Sequence, residues 1–152
     1  MINENTWKEG ENLAVKYMKK HGFRILKTNF SCVGVELDIV AILPKNIQKQ
    51  SKKLTMKEKI RHAEKHEKKM LKKSMRQILN QIQDLLVITE VKSRSTSSYG
   101  EGFYAVTEQK QHNIIRGARY LQTQKEFKNY QIRFDVASVD KGQITYIEGA
   151  FR

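Results

Sequence analysis

One apolar stretch, residues 84–92 (DLLVITEVK), limits what this chain can fold into, because it predicts a buried strand that ends in two charged residues. Residues i and i+2 of a strand point to the same face, so Glu90 and Lys92 are expected side by side. Leu86 and Ile88 lie behind them on that face. Two interpretations are open at this stage. The pair is an ion pair at a strand end, or it is a metal-binding carboxylate beside a lysine that stabilises charge.

The remaining elements predict one α/β domain covering residues 1–152. A helical pattern over residues 6–21 precedes two strands, FRILKTNFS and VELDIVAIL. After the strand 84–92 comes a Ser/Gly-rich loop, SRSTSSYGEG, interpreted as a linker or as a mobile loop that contacts DNA. A helix with Thr107 at its N-cap follows, and two strands around a turn at residues 140–142 complete the order.

Pairing the second and third strands as a hairpin predicts a cluster of charged side chains. If Leu43 faces Leu85, Asp38 faces Glu90, and Lys92 joins them on one face of the sheet. Placing two carboxylates and a lysine on the face of a sheet costs free energy, so such a cluster is expected to have a function. Carboxylate oxygens are the ligands of hard cations such as Mg²⁺, and Lys92 would hold the attacking water or stabilise charge in a phosphoryl transition state.

Glu11 is expected to be the fourth member of this cluster. It lies on the same stripe of the first helix as Ala14 and Met18, where a solvated carboxylate would not normally lie. A helix covering the sheet could bring Glu11 to the metal. The plainer interpretation makes Glu11 a boundary residue and leaves Glu90 and Lys92 as a surface pair.

The positive charge of the chain is concentrated in one insertion, residues 45–82. This segment holds 13 Lys and Arg against three Glu, a net +10 out of +13 for the whole chain. It is expected to be a solvated lysine-rich helix or a surface for polyanions, nucleic acid first. Thr55 and Glu58 suggest a capping box, and a continuous helix from there to Gln81 would be about 40 Å long. A helical hairpin is the alternative, although no Gly, Pro or Asn marks a bend between Thr55 and Asn80. A narrow apolar seam follows its length: Met56, Ile60, Ala63, Met70, Met75, Ile78 and Ile82.

Cysteine content and hydropathy point to a cytoplasmic protein that does not enter a membrane. Cys32 is the single cysteine, so no intrachain disulfide can form, as is typical of a reducing compartment. No apolar run approaches the length of a membrane span, and the first ten residues lack the apolar core of a signal peptide.

Several segments, in order, resemble the YraN family of small bacterial proteins, which is itself similar to archaeal Holliday-junction resolvases and other PD-(D/E)xK nucleases. The matching segments are GENLAVKYMKKHGFRILKTNF, VELDIVAI, LVITEVKSRS, YGEGFYAVTEQKQ, IIRGARYL, IRFDVASVD and YIEGAF. They cover all but the insertion and the extreme N-terminus. One departure is Val35, where the family usually has glycine; Gly34 lies one position earlier.

The resemblance implies a restriction-endonuclease-like core of helix, mixed sheet and helix, with the basic insertion 45–82 in the central hairpin. It implies a metal-dependent endonuclease acting on DNA, with branched or structured DNA as the candidate substrate and RNA as a further one, and with Mg²⁺ or Mn²⁺ as cofactor. By this resemblance Asp38, Glu90 and the backbone carbonyl of Val91 bind the metal, and Lys92 and Glu11 are catalytic. Resolvase relatives act as dimers, so a homodimer is compatible.

Two groups of residues are predicted to contact nucleic acid outside the catalytic cluster. Lys110 and Gln109 open a helix at the edge where related nucleases touch phosphate, although an exposed helix start fits equally well. The other group consists of insertion lysines: Lys52, Lys53, Lys69 and Lys72. Arg133 and Asp135 are interpreted as the polar face of an edge strand. Two other functions stay open, a catalytically idle nucleic-acid-binding module and an assembly factor that uses the insertion.

Overall fold

The computed structural model describes residues 4–94 and 106–152 and contains four helices and five strands within them. In chain order the elements are α1 (Glu4–Lys20), β1 (Arg24–Cys32), β2 (Val35–Leu43), α2 (Lys45–His62), α3 (Lys65–Gln81), β3 (Leu85–Arg94), α4 (Glu108–Thr123), β4 (Gln131–Asp140) and β5 (Gln143–Phe151). Most of the predicted Ser/Gly-rich loop, residues 95–105, lies outside the described residues.

The five strands form one mixed sheet in the order β1-β2-β3-β4-β5. β3 pairs in parallel with β4, and the other neighbouring strands are antiparallel. A parallel pair needs a crossover, which α4 provides. β4 lies inside the sheet and not at its edge, so the placement of Arg133 and Asp135 on an edge strand is wrong.

Helices cover both faces of this sheet, which confirms the predicted α/β core of helix, mixed sheet and helix. Ala14 and Met18 of α1 pack on one face with Ile39, Val87 and Ala137. On the other face, α4 contributes Ile114, Ala118 and Leu121. α4 approaches closely because Gly117 has no side chain, and a Cβ atom there would lie 2.9 Å from a methyl carbon of Leu37.

Buried polar groups of β4 and β5 form a satisfied network. Asp135 is fully buried and accepts hydrogen bonds at 2.8 Å from Nε and from Nη2 of Arg133. The hydroxyl of Tyr146 donates to the same carboxylate at 2.7 Å, and the backbone N–H of Gly149 donates at 2.9 Å. Because both carboxylate oxygens have partners, we assign Asp135 a structural role.

The insertion forms a helical hairpin and not one continuous helix. Ala63 and Glu64 take extended conformations, with ψ of 154° and 164°, and they end α2 and begin α3. The capping box lies at Glu64 and Glu67. The capping box predicted at Thr55 is wrong, because Thr55 lies inside α2 and its hydroxyl donates to a backbone carbonyl of the preceding turn.

The two insertion helices pack mainly against each other, and neither contains a buried residue. The seam of α3 consists of half-buried Leu71, Met75 and Leu79. Met70 and Ile78 of the predicted seam are instead exposed, Met70 to 64%. The break in the helix turns α3 back along α2 and so changes which residues face inward. We call this hairpin, residues 45–82, the arm.

The base of the arm is attached to the end of the β2–β3 hairpin. The backbone N–H of Lys45 donates to Asp84 Oδ1 at 2.7 Å. The side-chain amide of Gln48 donates to the carbonyls of Leu43 at 3.0 Å and Gln83 at 2.8 Å. Ile47 packs against the core close to Gly22. These contacts connect the first turn of α2 to the start of β3.

Candidate active site

Strand register brings the two predicted carboxylates together. Leu43 pairs with Leu85 and Ile39 pairs with Thr89, which confirms the predicted alignment of β2 with β3. Continuing this register by one residue places Asp38 opposite Glu90. Both side chains are 4% exposed. A sheet that buries two carboxylates in neighbouring positions must lower their combined charge, by a proton or by cations.

Asp38 is held by groups of β3. Its Oδ2 accepts a hydrogen bond from the backbone N–H of Val91 at 2.8 Å. The Asp38 carboxyl also lies beside the side chain of Glu90, close enough for the two charges to act on each other. Burial, and next to it the charge of Glu90, raise the pKa of Asp38 to about 7, although the Val91 hydrogen bond and the Lys110 ammonium act in the opposite direction. Near neutral pH the pair therefore holds one proton for part of the time.

Two lysines lie against Glu90, one on each carboxylate oxygen. The Lys92 ammonium is 3.8 Å from Oε1, and the Lys110 ammonium is 3.1 Å from Oε2. Oε2 has this ion-pair contact, but among the described residues no group donates a well-aligned hydrogen bond to it. An ammonium attracts a carboxylate without strict directionality, so the 3.1 Å contact partly neutralises the charge of Glu90. A divalent cation bound at Oε2 would take the place of this ammonium.

Lys110 is part of this cluster and is not an exposed helix start. The Thr107 hydroxyl accepts from the backbone N–H of Lys110 at 3.3 Å, which places Lys110 in the first turn of α4 above the sheet. Its side chain is 32% exposed. Burial acts to lower the pKa of Lys110, but Glu90 and Asp38 outweigh it, so the pKa is raised and the side chain is charged. Sequence reasoning considered Lys110 as a phosphate contact and missed its ion pair with Glu90.

Glu11 is buried, as its helical stripe predicted, and is 7% exposed. It reaches the sheet through Asn29 of β1, whose side-chain amide donates to Glu11 Oε2 at 2.9 Å. Asn29 has a positive φ of 49° and lies between two residues that pair with Ile39 and Leu37, so it stands opposite Asp38. Asn29, Asp38 and Glu90 therefore occupy one row across three strands. Sequence reasoning missed Asn29, although asparagine commonly adopts positive φ.

The other predicted contacts lie away from this row. Gln109 is exposed on α4, and its amide is 3.4 Å from the Asn113 carbonyl oxygen. The arm lysines are exposed on α2 and α3: Lys52, Lys53, Lys69 and Lys72. The arm begins about 17 Å from Asp38, five residues along β2.

Cys32 is buried, and burial raises the pKa of its thiol, which disfavours the reactive thiolate.

Asp38 and Glu90 are the side chains of this site that could hold a metal ion. Within residues 4–94 and 106–152, no group of three or more His, Cys, Asp and Glu side chains could hold a metal ion. A cation here would therefore bind the Asp38 and Glu90 pair, with water, phosphate or a backbone carbonyl in its other positions. Carboxylate and water oxygens suit Mg²⁺, and Glu90 Oε2 lacks an aligned donor, so the residues present fit such an ion.

The fold and this row of residues define a class: a three-layer α/β protein with a buried carboxylate pair flanked by two lysines. Within the described residues, no helix is both long and apolar enough to cross a membrane. The model of the uncharacterised protein family UPF0102 matches residues 10–139. The chain belongs to this family, which is the YraN family expected from its motifs.

Individual relatives agree with this assignment. A UPF0102 protein of Clostridium perfringens is 30% identical over 149 aligned residues, covering 94% of this chain and 90% of the relative. A UPF0102 protein of Clostridium acetobutylicum is 30% identical and covers 99% of this chain and 97% of its own. One of Pelobacter propionicus is 31% identical, covering 98% and 84%.

Proposed function

We propose that this protein is a metal-dependent endonuclease that hydrolyses phosphodiester bonds in DNA, including branched or structured DNA, with Mg²⁺ or Mn²⁺ as cofactor. The observation that carries the proposal is the buried Asp38 and Glu90 pair with a lysine on each oxygen of Glu90. Asp38, Glu90 and Lys92 are the residues that the resemblance to PD-(D/E)xK nucleases implies, and the contact of Lys110 with Glu90 adds to them. Buried carboxylates and adjacent cations are the groups that hydrolysis of a phosphate ester requires.

Each side chain has a role that follows from its position. Asp38 and Glu90 would hold the cation, with the Val91 carbonyl as a further ligand. The bound ion would neutralise phosphate charge and favour ionisation of water. Lys92, two residues before the end of β3, would orient the attacking water or stabilise the negative charge of the transition state. Lys110 lies where a phosphate oxygen could replace Glu90 as its partner.

Glu11 would act through Asn29. The Asn29 amide fixes one oxygen of Glu11 beside the row that contains Asp38. Glu11 in this position would add negative charge near the cation without touching the same oxygens. Its role is therefore positioning and electrostatic, and the proposal does not require it as a direct ligand.

A second function, a catalytically idle nucleic-acid-binding module, is favoured by the contact of Lys110. Its ammonium lies 3.1 Å from Glu90 Oε2, where a cation would otherwise neutralise the pair. If Lys110 substitutes permanently for the metal, the same surface would bind phosphate without cleaving it. Metal binding separates the two functions, because only the enzyme must exchange the ammonium for a divalent ion.

A cleavage panel tests the proposal. Purified protein is incubated with Mg²⁺ or Mn²⁺ and with duplex, flap, junction and single-stranded DNA and RNA. We expect Asp38→Asn, Glu90→Gln and Lys92→Ala each to lower cleavage by about 10²–10³-fold or more while binding in EDTA survives. Matched controls are Glu126→Gln and Lys125→Ala, which change exposed residues after α4. Cleavage by Lys92→Ala at the wild-type rate would refute the assignment. Absence of Mn²⁺ binding by the wild type would favour the idle module.

A further inference from the structure

The cations of α3 lie on one face of that helix. At about 100° per residue, five exposed cations fall within an arc of about 100°: Lys65, Lys69, Lys72, Lys73 and Arg76. Together with exposed Met70 they line an open groove. Leu71, Met75 and Leu79 lie on the side of α3 that is half-buried. The packing of the arm therefore turns the basic face outward.

α2 has seven lysines and arginines against six on α3, but they are less focused. Five of the seven fall within about 120°, but two of these five, Lys45 and Lys49, belong to the base of the arm, where Lys49 is half-buried. The exposed cations beyond the first two turns spread over about 200° of the helix surface: Lys52, Lys53, Lys57, Lys59 and Arg61. Beyond the base of the arm, charge is thus focused on α3 and dispersed on α2. A high net charge alone does not explain this difference between the helices, because lysines that serve only solubility would lie on any solvated surface of either helix.

We propose that this face of α3 is a second nucleic-acid contact, which binds the phosphate backbone of duplex DNA beyond the active site. The face extends over 12 residues, from Lys65 to Arg76, or about 16 Å. Each strand of a duplex carries one phosphate for about 3.4 Å of helix axis, so a face of this length laid along the axis covers a rise of about five base pairs. The arm begins about 17 Å from Asp38. The face lies about 8–24 Å further along α3, so a duplex has to extend roughly 25–40 Å from the active site to contact it. This proposal does not depend on nuclease activity, because a catalytically idle nucleic-acid-binding module would use the same face of α3.

Charge selects this partner over a second copy of the chain or a membrane. Two arms of net +10 repel each other, which opposes self-association through this face. The apolar part of the face consists of Met70. A helix that lies in a membrane interface needs a continuous apolar side, and the apolar side of α3 is packed on α2.

The test compares two charge-matched variants by salt-dependent binding. The first carries Lys69→Gln, Lys72→Gln and Arg76→Gln, and the second carries Lys57→Gln, Lys59→Gln and Arg61→Gln. Each removes two lysines and one arginine, and glutamine preserves helix propensity. Affinity for a labelled duplex DNA is measured in EDTA over a range of NaCl concentrations, so that cleavage does not enter. Circular dichroism confirms that both variants stay helical.

We expect the α3 variant to flatten the slope of log affinity against log salt by up to about 2.7, or 0.9 for each lost phosphate contact. The α2 variant should change this slope by less than about 0.9, the effect of losing one phosphate contact. Equal effects of the two variants would show that the net charge of the arm matters and that the α3 face does not. Unchanged binding in both variants would exclude the arm as a contact. Either result overturns the proposal. Loss of binding to phosphatidylserine vesicles, with duplex binding intact, would assign the face to membranes. Because binding is measured in EDTA, this test does not depend on whether the protein cleaves DNA. Failure of the cleavage panel would therefore leave its result unchanged.

Discussion

The Asp38 carboxyl lies beside the Glu90 side chain across the β2–β3 pair, and both groups are buried. Two neighbouring buried carboxyls resist carrying two negative charges, which favours a proton on one of them. Burial and the charge of Glu90 raise the pKa of Asp38 to about 7, from an ordinary value of 3.8. The folded protein therefore retains a proton that the unfolded chain releases.

This relationship predicts that the metal-free protein loses stability as pH rises. Below about pH 4 Asp38 is protonated in both states, and between 4 and 7 only the folded state keeps the proton. The free energy of unfolding should thus fall through this window and level off above pH 7, by roughly 2–4 kcal/mol from this residue. Asp38→Asn, which mimics the protonated form, should remove that part of the fall. Urea unfolding at several pH values measures it.

Exposed Asp140 provides the control. Asp140→Asn should leave the pH dependence of the wild type in place. Parallel stability curves for wild type and Asp38→Asn would contradict a raised pKa at Asp38.

A second prediction concerns Lys110, whose charge partly offsets the carboxylate pair. Lys110→Met removes the ammonium at 3.1 Å from Glu90 and should raise the pKa of Asp38 further. The variant should be destabilised by about 1–3 kcal/mol at pH 8 and by less at pH 5, where the pair carries less negative charge. Thermal melts at both pH values check this, with exposed Lys128→Met as the control. An equal loss at both pH values would mean that Lys110 acts by packing alone.

A third prediction separates the two roles of Asn29, its hydrogen bond and its positive φ. Asn29→Ala loses the bond to Glu11 and also places alanine at φ 49°. Asn29→Gly loses the bond without the backbone strain. We expect glycine to cost about 1 kcal/mol less than alanine in urea unfolding. If alanine is tolerated as well as glycine, the positive φ stores no strain.

A fourth prediction concerns the boundary between the arm and the core. Replacing residues 50–79 by a short Asn-Gly turn should leave a cooperatively melting protein, because it keeps the contacts of Lys45, Ile47 and Gln48. Replacing residues 45–82 removes them and should cost about 1–3 kcal/mol more. Differential scanning calorimetry of both deletions compares them. Failure of the shorter deletion to fold would show that the outer turns of the arm support the core.

The strands could be predicted because the apolar pattern of each strand is local. Their register could be predicted because Leu43 and Leu85 are the strand residues on either side of the insertion and therefore face each other at the end of the hairpin. The helix break at Ala63 could not, since no glycine or proline marks it and a capping box of two glutamates is a weak signal. The contact of Lys110 with Glu90 depends on how α4 crosses the sheet. Tertiary packing sets the distance between these two side chains, and the spacing of the residues in the sequence does not predict it.

The attachment of the arm has a consequence for the order of folding. Asp38 and Glu90 are separated by the whole arm, and closing a loop of this length costs about 2 kcal/mol more than closing a four-residue turn. Helical hairpins rely on local contacts and form early. Once formed, the arm brings Lys45 to Asp84 and acts as a large rigid turn. A slip of one residue at this base would turn Asp38 to the opposite face of the sheet. The correct alignment of the carboxylate pair thus depends on the register that is fixed at the far end of the hairpin.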